Sequence, residues 1–137
     1  MKVLETDASV DRLPEVLEFV NSALEENGCS MKVQTQVEVA VEELYVNICL
    51  YAYRTSPNKK MARLELTIDD NPREMILSFI DCGSPFDPLL RKDPDIKLSA
   101  EERQIGGLGI YIVKKTMDDV SYRYEDGKNI LTIRKNF

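Results

Sequence analysis

Histidine is missing from this 137-residue chain. Its absence excludes Ser-His-Asp and Cys-His nucleophile relays, imidazole-ligated metals and phosphohistidine chemistry. Cysteine is scarce: Cys29, Cys49 and Cys82 are an odd number with no Cys-x-x-Cys spacing. They read as reduced thiols packed as small apolar groups, not as a disulfide framework or a zinc site. No apolar run approaches the length of a membrane-spanning helix, and Met1 to Asp7 carries no apolar stretch of a secretion signal. Basic residues form no stripe, and 18 of them against 24 acidic residues leave a net charge of −6. That balance argues against tracking a nucleic-acid backbone. No internal repeat and no Pro/Gly/Ser-rich linker divides the chain. The mix of 43% hydrophobic and 31% charged residues is that of an ordinary globular protein. The expectation is one soluble, cytoplasmic domain over 1–137, whose folding buries roughly two-thirds of its surface. Any chemistry falls to carboxylates, amides, backbone N–H groups and a bound cofactor.

The hydrophobic pattern orders the elements. Lys2 to Glu5 can pair at a sheet edge. Asp11 or Ser9 caps a helix starting near Leu13-Pro14, with Leu13, Val16, Leu17, Val20 and Leu24 at helical spacing and Asn27-Gly28 as its stop. Ser30 caps a longer helix to about Tyr53, whose apolar arc holds Val33, Val37, Val41, Leu44, Ile48 and Ala52. Beside that arc runs a stripe of Gln36, Ala40, Glu43 and Asn47. Arg63 to Asp69 and Glu74 to Asp81 alternate as two strands of an antiparallel hairpin. Prolines 85, 88 and 94 and dispersed charges then mark a long irregular segment, expected to be a mobile functional lid. A helix from Leu108 to about Met117 follows. Val120 to Tyr124 and Asn129 to Arg134 close the chain as a hairpin around Glu125-Asp126-Gly127-Lys128. Helix, helix, two strands, lid, helix, two strands predicts an α+β sandwich with helices on one face of a sheet.

Three motifs carry chemistry. Glu43 and Asn47 are four apart, so their side chains project one turn from each other on the same side of a helix. An amide oxygen there suits a hard cation such as Mg²⁺, and a carboxylate one turn away can accept a proton. Any Glu-x-x-x-Asn pair is also an ordinary solvated helix face. Asp81-Cys82-Gly83 ends a buried strand. Aspartate there either bonds its own backbone or accepts a hydrogen bond from an exocyclic amine such as adenine's. Gly106-Gly107-Leu108-Gly109 opens a helix, where free N–H groups and the helix dipole attract phosphate. No Gly-Lys-Ser/Thr follows, and no strand directly precedes, so neither a Walker loop nor a dinucleotide fingerprint is present. The His-Arg-Asp and Asp-Phe-Gly signatures of eukaryotic-type protein kinases are absent too.

Taken in order, these motifs resemble the GHKL (Bergerat) ATP-binding fold. Within it the chain is similar to the stand-alone anti-sigma-factor serine/threonine kinases of bacteria. The segments that match are Val41-Glu42-Glu43-Leu44-Tyr45-Val46-Asn47, Asp81 to Pro88, Gly106 to Val113, and the tail from Met117 to Ile133. The resemblance implies a two-layer sandwich with a mixed, mostly antiparallel sheet and an ATP lid at about 86–105. It implies ATP and Mg²⁺ as cofactors, with Asn47 as the metal ligand and Glu43 as general base toward an acceptor serine. Asp81 would read the adenine amine above Gly83, and Gly106, Gly107, Leu108 and Gly109 would cradle phosphates. Arg103 matches loosely a basic lid residue that steadies the γ-phosphate. Tyr51 stands where family members commonly carry histidine. The implied partners are a STAS-type anti-anti-sigma protein, phosphorylated on serine, and an RNA polymerase sigma factor. A homodimer covering the edge at Lys2 to Glu5 is a further expectation.

Two rivals frame that reading. A histidine-kinase catalytic domain is disfavoured because the chain has neither histidine nor dimerisation helices. A non-catalytic, ATP-gated binding module would need Asp81 and the glycines but not Glu43.

Overall fold

Alternation of apolar and polar residues builds the sheet, and helical spacing of apolar residues covers one of its faces. The computed structural model describes residues 1–90 and 107–137. It runs β1 (Lys2–Asp7), α1 (Leu13–Glu26), α2 (Met31–Asn47), β2 (Met61–Asp69), β3 (Glu74–Asp81), α3 (Gly107–Thr116), β4 (Asp119–Glu125) and β5 (Lys128–Asn136). Short 3₁₀ turns lie at Val10–Arg12 and Pro88–Leu90. Most of the segment expected to be a lid, with Arg103 and Gly106, lies outside the described residues.

The strand order is β1-β2-β3-β5-β4, and every neighbouring pair is antiparallel. The expected parallel component is therefore absent among the described strands. The chain leaves β3, returns through α3 to the far edge as β4, and hairpins back so that β5 fills the gap beside β3. The hairpin turn is Asp126-Gly127, with φ of 53° and 75°. Two successive positive φ values give a type I′ turn, whose twist matches that of the flanking strands.

The inner face carries Ala62, Leu64 and Leu66 of β2, Met75, Leu77 and Phe79 of β3, and Leu131 and Ile133 of β5, all buried. Against them pack Val16, Val20, Ala23 and Leu24 of α1, Val37, Val41 and Leu44 of α2, and Ile110 and Val113 of α3. Truncating a side chain such as Phe79 in this core costs about 3–5 kcal/mol. Tyr45 is also fully buried, with its hydroxyl 2.9 Å from the Asp7 carbonyl and 2.7 Å from that of Ser9. The outer face mixes Ile76, Ile80 and Ile130 with polar pairs: Arg63 lies between Glu5 (2.7 Å) and Glu65 (2.9 Å), and the Ser78 and Thr132 hydroxyls meet at 2.8 Å.

Local chemistry sets the helix ends. Ser9 accepts from the Asp11 N–H and caps the 3₁₀ turn, while α1 itself begins without a side-chain cap. At its other end Gly28, at φ +73°, lets the Cys29 N–H reach the Leu24 carbonyl and the Gly28 N–H reach that of Glu25. This is the paired closure that glycine allows after a helix. Ser30 caps α2 by accepting from the Val33 N–H. The long helix does not stay α-helical to Tyr53 as expected: from Ile48 to Ala52 it is a π turn. The expected edge strand at Lys2 to Glu5 extends to Asp7 and pairs with β2.

Candidate functional site

A cleft opens where the last turns of α2 meet the ends of β3 and β5. It encloses about 530 Å³ including its open mouth, and its walls are mainly apolar. Leu44, Ile48, Phe79 and Leu131 form the floor, while Asn47, Asp81 and Asn129 supply polar atoms. Tyr51, Phe86 and Tyr122 stand around it.

Asp81 is the most constrained of the predicted residues. It is 5% exposed, and its Oδ1 accepts from the Gly83 N–H at 2.9 Å and from Asn129 Nδ2 at 2.9 Å. Oδ2 receives no hydrogen bond among the described residues. Burial pushes the carboxyl pKa up, and the two donors pull it partly back. A buried carboxylate with one saturated and one open oxygen is an acceptor awaiting a donor.

Gly83 has a packing reason to lack a side chain. A Cβ there would lie 2.1 Å from the Ala52 carbonyl oxygen, and the adjacent Ser84 N–H donates to that same oxygen at 3.0 Å. The π turn thus delivers a carbonyl to the loop after β3. π turns occur disproportionately at functional sites because they redirect groups within a helix. Tyr53 also ties this corner: its hydroxyl donates to the Met61 carbonyl and accepts from the Cys82 N–H at 2.9 Å.

Glu43 sits one turn before Asn47 and against the first turn of α3. A Cβ on Gly109 would lie 2.0 Å from the Glu43 carboxyl carbon, so the glycine makes the contact possible. Burial raises the Glu43 pKa, the Asn47 side chain opposes that shift, and the neighbouring Glu42 charge adds to it. A carboxyl displaced upward is better suited to take a proton near neutral pH. Among the described residues no three His, Cys, Asp or Glu side chains cluster as a metal cage. The Asn47 amide oxygen nonetheless suits Mg²⁺, which binds through one or two protein ligands with substrate phosphates and waters completing its shell.

The structure therefore brings Asn47 and Asp81 to one cleft and Glu43 to Gly109 beside it. Gly107 is the first residue of α3, and Leu108 is 39% exposed. Tyr51 lines the cleft and carries the Arg54 guanidinium 4.6 Å above its ring.

Asn129 and Tyr122 were not singled out by sequence reasoning. Asn129 is 6% exposed and accepts from the Tyr122 hydroxyl. The available signal was parity: Asn129, Leu131 and Ile133 share the inward face of β5, so a polar residue there needs buried partners.

Among the described residues, no helix is long and apolar enough to cross a membrane. The model of the histidine kinase-like ATPase domain family matches residues 6–135. The serine/threonine-protein kinase BtrW of Bordetella bronchiseptica is 25% identical over 130 residues, covering 95% of this chain and 89% of that protein. The serine-protein kinase RsbW of Listeria monocytogenes is 29% identical over 108 residues, covering 76% and 67%. Two solved structures share the fold. One contains the RsbU and RsbW domains of a Mycobacterium tuberculosis protein, with a TM-score of 0.67 and 14% identity over 98% of this chain and 32% of that one. The other is the SiaB–SiaC complex of Pseudomonas aeruginosa, with a TM-score of 0.63 and 14% identity over 100% of this chain and 90% of that one.

Proposed function

Since the chain belongs to the histidine kinase-like ATPase domain family, we propose that it is a protein serine kinase that uses Mg-ATP. Asp81 Oδ2 accepts the hydrogen bond of the adenine amine. The N–H groups opening α3, from Gly107 to Gly109, face the phosphates, helped by the positive end of the helix dipole. Asn47 would hold Mg²⁺, which when bound would neutralise phosphate charge during transfer. Glu43 accepts the proton of the acceptor serine hydroxyl as that oxygen bonds to the γ-phosphorus and ADP leaves. Phosphoryl transfer asks little more than such positioning and charge balance.

The observation that carries this reading is Glu43 packed against Gly109. Nucleotide binding alone needs the adenine acceptor and the phosphate amides. A half-buried carboxyl placed at the first turn of α3 adds a base where phosphate would lie.

The acceptor we propose is a serine of a STAS-type anti-anti-sigma protein, with a sigma factor as the alternative partner. The names of the relatives as serine kinases support the acceptor class. Such a switch operates in the cytoplasm, where transcription starts. The β1 edge is proposed as the meeting place of two copies, and light scattering at tens of micromolar checks it.

The deciding experiment incubates the protein with labelled ATP, Mg²⁺ and a STAS-type protein encoded beside it. Phosphoserine should appear with the native chain and be lost with Glu43→Ala. ATP binding without any transfer would overturn the kinase and leave an ATP-gated binding module.

A further inference from the structure

The side chain of Asn129 has no spare hydrogen-bonding capacity. A carboxamide offers two N–H donors and a carbonyl with two lone pairs. Nδ2 donates to Asp81 Oδ1 at 2.9 Å and to the Ser84 carbonyl at 2.9 Å. Oδ1 accepts from the Tyr122 hydroxyl at 2.5 Å and from the Phe86 N–H at 3.1 Å. A backbone N–H can only donate, so Oδ1 must face Phe86 and Nδ2 must face the carboxylate. Turning the amide over would set donor against donor at Phe86 and acceptor against acceptor at Asp81.

We infer that Asn129, locked by Tyr122, is the positioning residue that sets which purine the cleft accepts. The inference rests on Asp81 being the base reader and goes beyond it. With Oδ1 filled by Gly83 and Asn129, Asp81 keeps one free oxygen, and that oxygen can only accept. A purine with an amine at C6 supplies the matching donor. A purine with a carbonyl at C6 sets lone pair against lone pair in a site with little water to relieve it. Without the Nδ2 donor the carboxyl group is held by the Gly83 N–H alone and gains rotational freedom, and the rejection of the carbonyl weakens. Asn129 also grips Ser84 and Phe86, so the base reader and the chain entering the 86–105 segment are held by one side chain.

The test measures binding of Mg-ATP and Mg-ITP by calorimetry, since the two nucleotides differ only along the N1–C6 edge, where the amine and bare N1 of adenine become a carbonyl and an N1–H. The variants are Asn129→Leu, Tyr122→Phe and Asp81→Asn. The native chain should prefer ATP strongly. Asn129→Leu should lower that preference by about tenfold, and Tyr122→Phe by a few-fold, because each leaves a buried polar partner unsatisfied. Asp81→Asn should abolish or invert the preference. If Asn129→Leu weakens both nucleotides equally and the ratio stands, the positioning role is overturned while the Asp81 reading survives. If Asp81→Asn leaves the ratio unchanged, the Asp81 reading itself fails. Should Asn129→Leu not fold, Tyr122→Phe removes a single oxygen and decides by the same ratio.

Discussion

At the sheet end of the cleft, Asp81 is buried, and its neighbour Asn129 uses every donor and acceptor it has. At the helix end, Glu43 is half-buried, and its carboxyl tip rests against a glycine and next to an amide. The difference suits the role proposed for each carboxylate. A group that discriminates between ligands must have no second arrangement, so it is surrounded by saturated partners on a rigid sheet. A group that takes a proton from another protein's side chain must remain reachable, so it keeps solvent access and few commitments. The two glycines repeat the contrast. Gly83 faces the backbone of the π turn, and Gly109 faces the flexible end of a side chain.

The sharpest way to break the comparison is to add one methyl group at each glycine. Gly83→Ala drives a Cβ into the Ala52 carbonyl, which cannot swing aside, and should cost about 3 kcal/mol, the upper end for overpacking. Its melting temperature should fall by roughly 10 °C. Next in size is Glu43→Ala, which should reduce phosphoryl transfer about 10²-fold or more while ATP affinity stays within a few-fold. Near-full activity in that variant would make Glu43 an ordinary surface residue. Gly109→Ala should melt close to the native protein, because Glu43 can move away, but transfer should drop about tenfold as the base is displaced. Equal destabilisation by the two alanines would erase the distinction between the two ends.

The smallest effects concern pH. As the proposed base, Glu43 must be deprotonated to act, and burial raises its pKa from the ordinary 4.5. The acid limb of the kinase rate profile should therefore lie above 4.5, and Glu43→Ala should remove it. Asp81 is raised from 3.8 in the folded state. The native protein then binds more protons than the unfolded chain between 3.8 and the raised value, so stability falls as pH rises through that window. Asp81→Asn should accordingly melt higher than the native protein at pH 7, and the gap should narrow as pH drops toward 4. A gap that stays constant over that range would mean that the buried charge is not its source.

Most elements were legible because their apolar periods are regular. The 74–81 strand was placed as observed, and Ser30, Asn27-Gly28 and Asp126-Gly127 gave stop and start signals with a direct physical cause. The edge strand was only half legible, since β1 has little burial to alternate. Ala40 was placed in one stripe with Glu43 and Asn47, yet unlike them it is fully buried. The π turn was hidden because Ile48 and Ala52 continue the apolar arc whichever hydrogen-bond ring forms. Glu43, Asn47 and Asp81 were visible as motifs, but Asn129 opposite Asp81 was not. That pairing joins residues 48 apart in the chain, and no local pattern announces it.

The π turn also makes the length of the chain a functional quantity. Helix ends usually tolerate the gain or loss of a residue, because fraying absorbs it. Removing one residue between Ile48 and Ala52 would let the turn relax to an ordinary α-helix, which is the more favourable local geometry. The groups within the turn, which the π geometry re-aims, would be the ones to shift. The Ala52 carbonyl would then swing away from Ser84, Tyr51 would leave the mouth of the cleft, and Gly83 would lose its neighbour. A deletion that strengthens the helix would thus dismantle the wall of the cleft, so this stretch should admit changes of side chain far more readily than changes of count.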